Sequence, residues 1–573
     1  MRELIRWGGT KRAALTFALG LACSAFQARG TAPGRLPFRS YGAREGLSNL
    51  VVLRLVQDRE GFLWAATEDG LFRLDGSRFD RFGNEEGLPS SVISALVVGD
   101  ARDLWVGTLH GLARRAGATF VALASESGLP KERVNGIAVA GGDVWVAMQT
   151  GLYKRIAPDR FEPVPGWSGG EATAVWADGD NGLVAAAADG VHSLAASGRW
   201  TTQATSEDLD GERIDALVRD SRGVLWARSP GRLWSRRAAT DRFADESAHV
   251  PNSNQKGTLS LDRLGRVMVP TTEGLAREEN DRWTVLGSAD GLPVRSLHCA
   301  LEDEEGSLWV GAIGLHQVRG RGLFRVFGRN EGLAGEVAWT ELRDAQGRLW
   351  VGTDQGLARD AGGRWETVPA TRGLSVRTLA AAPDGALWLG GVPAELLRLA
   401  PDGSTRTFDA RSGILGKRIF RLLIDRSGTF WVATDGAGLL RMIGPTSFSR
   451  VSLPGGTDDE RISYLIEDRQ GRLWAAGEMG LAVLDGGAWR RFTAADGLRV
   501  TRTAYVLERR GGEFCVAYLE GIGLSCFRLG ATGLTEMRHI DATNGLPAAR
   551  VYLLGEDESQ RLWVGTGVGV AVF

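Results

Sequence analysis

Cysteine, histidine, methionine and tyrosine are all scarce, at 4, 6, 6 and 6 in 573 residues. The cysteines and histidines never approach the spacing of a zinc site, so neither a metal nor a cofactor is expected. The histidines (His110, His192, His249, His298, His316 and His539) are dispersed, with no triad spacing. No sign of charge is in excess: 68 Lys and Arg against 69 Asp and Glu give a net charge of -1. That balance leaves no electrostatic footprint for nucleic acid or an anionic membrane. No segment reaches the roughly 18 apolar residues of a membrane helix. Helical 3.6-residue periodicity is also missing beyond the first thirty residues. What the chain does have is 79 glycines and 19 tryptophans, in a length that suits several domains.

Residues 1–25 read as a signal peptide. Arg2, Arg6, Lys11 and Arg12 precede a short apolar stretch from Ala13 to Cys23, and Cys23 and Ala25 suit the −3 and −1 cleavage positions. Lipid attachment through Cys23 is the weaker alternative, because Gly20 stands where a large aliphatic residue is usual. The mature chain is therefore expected outside the cytoplasm, in the periplasm.

The tryptophans repeat. GFLWAATEDGL, RDLWVGTLHGL, GRLWVGTDQGL and QRLWVGTGVGV share one pattern, and ten copies keep its tryptophan: Trp64, Trp105, Trp145, Trp226, Trp309, Trp350, Trp388, Trp431, Trp474 and Trp563. Val184, Met268 and Cys515 fill the same slot in three degenerate copies. Each unit reads as four strands: an apolar stretch ending in Asp-x-x-Gly, the Leu-Trp strand, a Gly-Leu-x-Arg strand, and a last strand before a Gly-Leu loop. Glycine at these turns supplies the positive φ of tight hairpins. The Asp-x-x-Gly acids (Asp58, Asp344, Asp425 and Asp468) recur from blade to blade and read as turn formers, not catalytic carboxylates. Four short strands every ~42 residues make one blade of a β-propeller, with the tryptophan packed between blades.

Thirteen blades exceed one ring of the usual four to eight. FRSYGAREGL at 38–47 returns as FRVFGRNEGL at 324–333, with seven tryptophan slots between. The fold expected is all-β, with tandem propellers. The first, over 38–322, has seven blades and is closed by Phe38–Tyr41 as the outer strand of the seventh. The second, over 323–573, has six recognisable blades, either a six-bladed ring or a seven-bladed one lacking a blade, with Phe324–Phe327 expected to close it. An open arc would expose strand edges and invite self-association.

Two further features bear on chemistry. Cys515 and Cys526 flank a hairpin centred near 520–521 and fall opposite each other, either as a cross-strand disulfide or as two buried thiols. Ten or eleven residues before each tryptophan slot lies the strand expected to line the central channel. In the second propeller that position reads Trp339, Arg377, Phe420, Tyr464, Tyr505 and Tyr552; in the first, Leu53, Ser94, Val134, Thr173, Asp215, Gly257 and His298. Aromatic faces with polar tips around a concave mouth suit a sugar or another ring-bearing ligand. Tyr464 and Tyr505 are offset by one residue, which turns them to the opposite face unless a bulge intervenes.

The motif GxLWvGTxxGL with its closing GLP loop resembles the two-component regulator propeller repeat family over about residues 38–573. The resemblance implies a periplasmic sensor module of a hybrid two-component system or related receptor. In that family the propellers are followed by a three-tyrosine β-sandwich, a membrane helix and a histidine kinase or diguanylate cyclase. None of these is present in the chain, so no enzymatic activity is expected of it. Streptogramin lyases share this propeller type, but no matching Glu accompanies His298 and His316. The expected partners are a small-molecule or oligosaccharide ligand and a membrane-bound signalling protein. The alternatives are a secreted scaffold for protein–protein interaction and, less favoured, a propeller lyase or glycosidase.

Overall fold

A strand reading Leu-Trp-Val-Gly-Thr has no solvent face, so it is stable only in the middle of a sheet packed on both sides. The computed structural model places it there. It describes residues 34–573 except 100–102, 124, 178–181, 196, 239–241, 254–257, 280–281, 323–324, 363, 458 and 549. The leader at 1–25 and Gly257 lie outside the described residues. Among those described, twelve four-stranded antiparallel sheets and one three-stranded sheet follow one another along the chain. They are tandem β-propeller blades, numbered here 1 to 13. Each tryptophan-slot residue sits on the second strand of its blade. The degenerate slots are filled by equally buried side chains: Val184, Met268 and Cys515 are 3%, 0% and 0% exposed.

The Asp-x-x-Gly acid does more than shape a turn. In blade 1, Asp58 Oδ1 accepts from the backbone N–H of Glu60 and Phe62, while Oδ2 accepts from Trp64 Nε1 at 2.7 Å. The same indole-to-carboxylate bond joins Trp226 to Asp220, Trp309 to Asp303, Trp350 to Asp344, Trp431 to Asp425, Trp474 to Asp468 and Trp563 to Asp557. The six-residue spacing thus fastens the turn to the tryptophan beneath it and satisfies a buried N–H that would otherwise be costly. The Gly-Leu loop is fixed just as tightly. Gly87 has φ +97°, and a Cβ there would lie 2.0 Å from the Phe120 carbonyl oxygen on the outer strand of blade 2. Leu88 beside it is buried in the cluster that also holds Trp64 and Phe120. This loop therefore pins blade 1 to blade 2.

Phe38–Tyr41 pairs antiparallel with Gly314–Val318 and completes blade 7 as its outer strand. Tyr41 is buried, packs in a tilted ring contact on Trp309 at 5.5 Å and donates to Gln317 Oε1 at 3.1 Å. The seven sheets of the first propeller are joined in this way by both ends of their segment.

Blades 8–13 follow with the same internal design but a different boundary. Among the described residues, Arg325–Phe327 does not add to the last strand, Gly569–Val572, which pairs in its sheet with Leu562–Thr566 alone. Phe324 lies outside the described residues, and Val326 instead forms an antiparallel bridge with Arg35. The physical reason is local. Arg35 pairs its backbone with Val326 at 2.7 Å in both directions and its guanidinium with Glu331, so this segment is held against the N-terminal strand. The end blades are accordingly open: Trp339, Tyr552 and Leu553 are 43%, 52% and 61% exposed. Trp563, in blade 13, is only half-buried.

Cys515 and Cys526 face each other across blade 12 and are joined as a disulfide, with their Cα atoms 4.1 Å apart. Glu513 lies close to both sulfurs, but a disulfide offers no thiolate to a metal. Cys299 is a buried free thiol, and burial raises it to about 12.

Candidate functional site

The innermost strand carries a bulge near its start in blades 1–3 and in all of blades 8–13. In blades 8, 9, 10 and 13 the pairing register shifts around Trp339, Arg377, Phe420 and Tyr552. In blades 11 and 12 it shifts around Ser463 and Ala504, and Tyr464 and Tyr505 come one residue later. The six residues expected at one register therefore occupy two. Four are the bulged residues themselves, and the two tyrosines share the following position with Arg421. A bulge re-aims the residues around it, and here it brings both sets into one line.

That line runs from blade to blade. The Arg377 guanidinium lies over the Trp339 ring, 4.0 Å from its centre. Arg461 covers Phe420 at 4.5 Å from the next blade, with Arg418 over the same ring at 5.3 Å. Arg421 covers Tyr464 at 4.7 Å, and Tyr464 meets Tyr505 edge-on at 5.3 Å. Burial, then the neighbouring Tyr464, raises the Tyr505 phenol; Tyr552 works the same way, while Arg461 and Arg550 oppose it. Burial and the nearby Arg418 lower Arg377. Trp339, Arg377, Phe420, Tyr464, Tyr505 and Tyr552 are thus joined through neighbours across blades 8–13.

The arginines are the part that the aromatic register missed. Arg418, Arg461, Arg502 and Arg550 each stand two residues before a bulge, in Arg-Ile-Phe, Arg-Ile-Ser, Arg-Thr-Ala and Arg-Val-Tyr. The signal was present as four arginines at one blade position. Arg418 is paired with Asp435 at 2.9 Å, and Arg502 with Glu478 and Glu520 at 3.1 and 3.5 Å. Among the described residues, no ion pair joins Arg377, Arg421 or Arg550 to a carboxylate, and the buried Nε atoms of Arg377 and Arg421 have no hydrogen-bond partner. A planar guanidinium stacked on a ring keeps its edge free for bidentate donation to a carboxylate, sulfate or phosphate. The arrangement can hold a ring by its face and an anionic substituent by its oxygens.

His298, His316 and His539 bond to neighbouring protein groups. His316 bridges Ser40 Oγ at 2.8 Å and the Ile313 carbonyl at 3.2 Å, tying the closing strand to blade 7. His298 Nδ1 lies 3.1 Å from the Val52 carbonyl. Burial lowers both imidazoles, while a backbone carbonyl, of Val52 at His298 and of Ile313 at His316, works the other way. His539 is 2.6 Å from Ser525 Oγ, but that hydroxyl is fully buried and also bonded to Tyr518, so no substrate reaches it.

No family model and no curated protein sequence matches the chain. Solved structures do. The extracellular domain of the hybrid two-component system BT3049 from B. thetaiotaomicron aligns over 94% of this chain and 77% of its own, at 18% identity with a TM-score of 0.70. The extracellular domain of a second such system, BT4673, from the same organism aligns over 92% and 70% at 18% identity, with a TM-score of 0.39. At this identity the first likeness is one of fold, and the chain is built as that extracellular domain is.

Proposed function

We propose that the chain is the extracytoplasmic, non-catalytic sensor module of a bacterial signal-transduction receptor of the two-component histidine kinase or diguanylate cyclase type. Its ligand is a saccharide or another ring-bearing molecule carrying acidic groups, held at the mouth of blades 8–13. The observation that carries this reading is the line of aromatic rings and guanidinium groups, from Trp339 and Arg377 to Tyr552, in which Arg377, Arg421 and Arg550 form no ion pair among the described residues. The repeat motif and the fold shared with a receptor's extracellular domain support the sensor role, and its signalling partner would be membrane-bound.

The test is calorimetry with uronate-containing, sulfated and neutral oligosaccharides against wild type and Tyr464→Ala/Tyr552→Ala. Two lost ring contacts at ~1–2 kcal/mol each weaken binding by about thirtyfold or more. Affinity for acidic oligosaccharides should also fall as salt rises. Unchanged affinity in the double variant would remove the site. A second reading, a scaffold that docks proteins or a second copy of itself, rests on the outer edge of Gly569–Val572, where Val570 is 61% exposed. It predicts no heat with any oligosaccharide and a stable protein complex instead.

A further inference from the structure

The first propeller has a mouth of its own, built at the same bulge register by different residues. The register shifts around Leu53 in blade 1, Ser94 in blade 2 and Asn135 in blade 3. Arg133 stands two residues before its bulge, the position that Arg418, Arg461, Arg502 and Arg550 hold in the second propeller. Between blades 7, 1, 2 and 3 these residues enclose a cavity of about 260 Å³, lined by Arg54, Glu68, Ser94, Leu109, Arg133 and His298 among others. Ligand pockets for drug-sized molecules start at about 300 Å³. This space suits something smaller, the size of one monosaccharide or amino acid.

Its charge is unbalanced. Among the described residues, neither Arg54 nor Arg133 has a carboxylate in ion-pair range. Arg54 donates only to the adjacent Leu53 carbonyl at 2.9 Å, and the buried Arg133 Nε has no partner at all. Asp215, off the lining, is shared: Arg213 approaches it at 3.7 Å, and it also acts on Arg54 and on the buried Arg228. Burial holds both Arg54 and Arg228 below the ordinary guanidinium range, Arg228 at about 10. Arg54 and Arg133 are part-buried with donors that have no acidic partner, and a bound anion supplies one. His298 has its Nδ1 turned to the Val52 carbonyl. Glu68 is the one acidic group on the lining and can accept from a hydroxyl or an ammonium. Leu53, Val92 and Leu109 give the remaining wall an apolar character.

We propose that this mouth binds a small organic carboxylate, its carboxyl oxygens on Arg54 and Arg133 and its hydroxyl or amino donors toward Glu68. The site is separate from the aromatic line of blades 8–13 and does not depend on it.

The experiment is calorimetry on the full chain with D-glucuronate and L-glutamate as probes and D-glucose as the neutral control. Circular dichroism confirms that each variant is folded. The expected result is saturable, sub-millimolar binding of at least one carboxylate with none of glucose. Arg133→Gln should weaken that binding at least tenfold. Leu109→Trp, which fills the cavity from its rim without touching a charge, should abolish it. Tyr464→Ala/Tyr552→Ala should leave it unchanged. No heat from either carboxylate, equal binding of glucose, or full affinity in both Arg133→Gln and Leu109→Trp would overturn the proposal.

Discussion

Replacing Asp468 by asparagine removes one negative charge and two acceptor positions from a site with no solvent. The carboxylate is fully buried. Its Oδ1 accepts from the backbone N–H of Gln470 and Arg472 at 3.0 and 2.9 Å; its Oδ2 accepts from Arg472 Nε at 2.7 Å and Trp474 Nε1 at 2.8 Å. An asparagine has one oxygen for these four donors, so whichever way it turns, its NH₂ faces two N–H groups. Two hydrogen bonds to a charged acceptor are lost, at ~1.5–3 kcal/mol each, and the two donors that face the NH₂ are left unpaired. The predicted cost is about 3–5 kcal/mol. Asp384→Asn is the matched control. That carboxylate pairs with Arg398 at 2.5 Å, but both side chains are part-exposed, and blade 9 has no Asp at the clip position, so the cost should stay under about 1 kcal/mol. Urea denaturation is the assay, read by circular dichroism and by hydrogen exchange of Leu473–Gly477 so that the two propellers are separated. A loss under about 1 kcal/mol for Asp468→Asn would refute the clip and return the acid to a simple turn former.

Trp474→Ala should cost ~3–5 kcal/mol, and Trp563→Ala clearly less, because Trp474 is fully buried and Trp563 half-exposed; equal losses in urea melts would contradict interblade packing as the cause. Replacing Cys515 and Cys526 with alanine opens a loop with a sequence separation of 11 and should cost about 3 kcal/mol, a loss that reductant reproduces in wild type but not in the variant. His298 and His316 are held below the ordinary histidine range by burial, so the unfolded chain binds protons that the folded one refuses. Their contribution is intact above the unfolded value near 6.5 and is lost as pH falls below it. The melting temperature should therefore drop between about pH 7 and 5.5, less steeply in His316→Gln, and a rise over that window would refute the assignment. At lower pH a second loss is expected from Asp344. Burial works to raise that carboxyl, but hydrogen bonds from Trp350 and Arg348 outweigh it and hold it below the usual carboxylate range.

The architecture was legible because its signal is repeated. A Trp-slot spacing of about 42 residues, a turn aspartate and a Gly-Leu loop recur together, and the reappearance of Phe-Arg-x-Phe/Tyr-Gly marked the boundary between propellers. Three things were not legible, each for a physical reason. A bulge leaves no fixed residue type behind, so the offset of Tyr464 and Tyr505 could not be told from a change of face until the register shift at Ser463 and Ala504 was seen. The arginines two residues before the bulges carry no distinctive signal, because charge on a strand usually marks a solvated edge; the stacking of Arg418 and Arg461 on Phe420 and of Arg550 on Tyr552 separates them from that background. The pairing of Val326 with Arg35 joins residues 291 positions apart through backbone alone, and repeat similarity pointed to the wrong partner. In blade 12 the opposition of Cys515 and Cys526 was readable, but their oxidation state was not.

The most direct measurement is a crystal structure of the chain with the acidic oligosaccharide that binds it most tightly. Density is expected over blades 8–13, with a sugar ring against Tyr464 or Tyr505 and an acidic group within hydrogen-bond distance of Arg377, Arg421, Arg461 or Arg550. A ligand seated elsewhere, with Tyr464, Tyr505 and these arginines untouched, would contradict the assignment of the mouth as the sensing site.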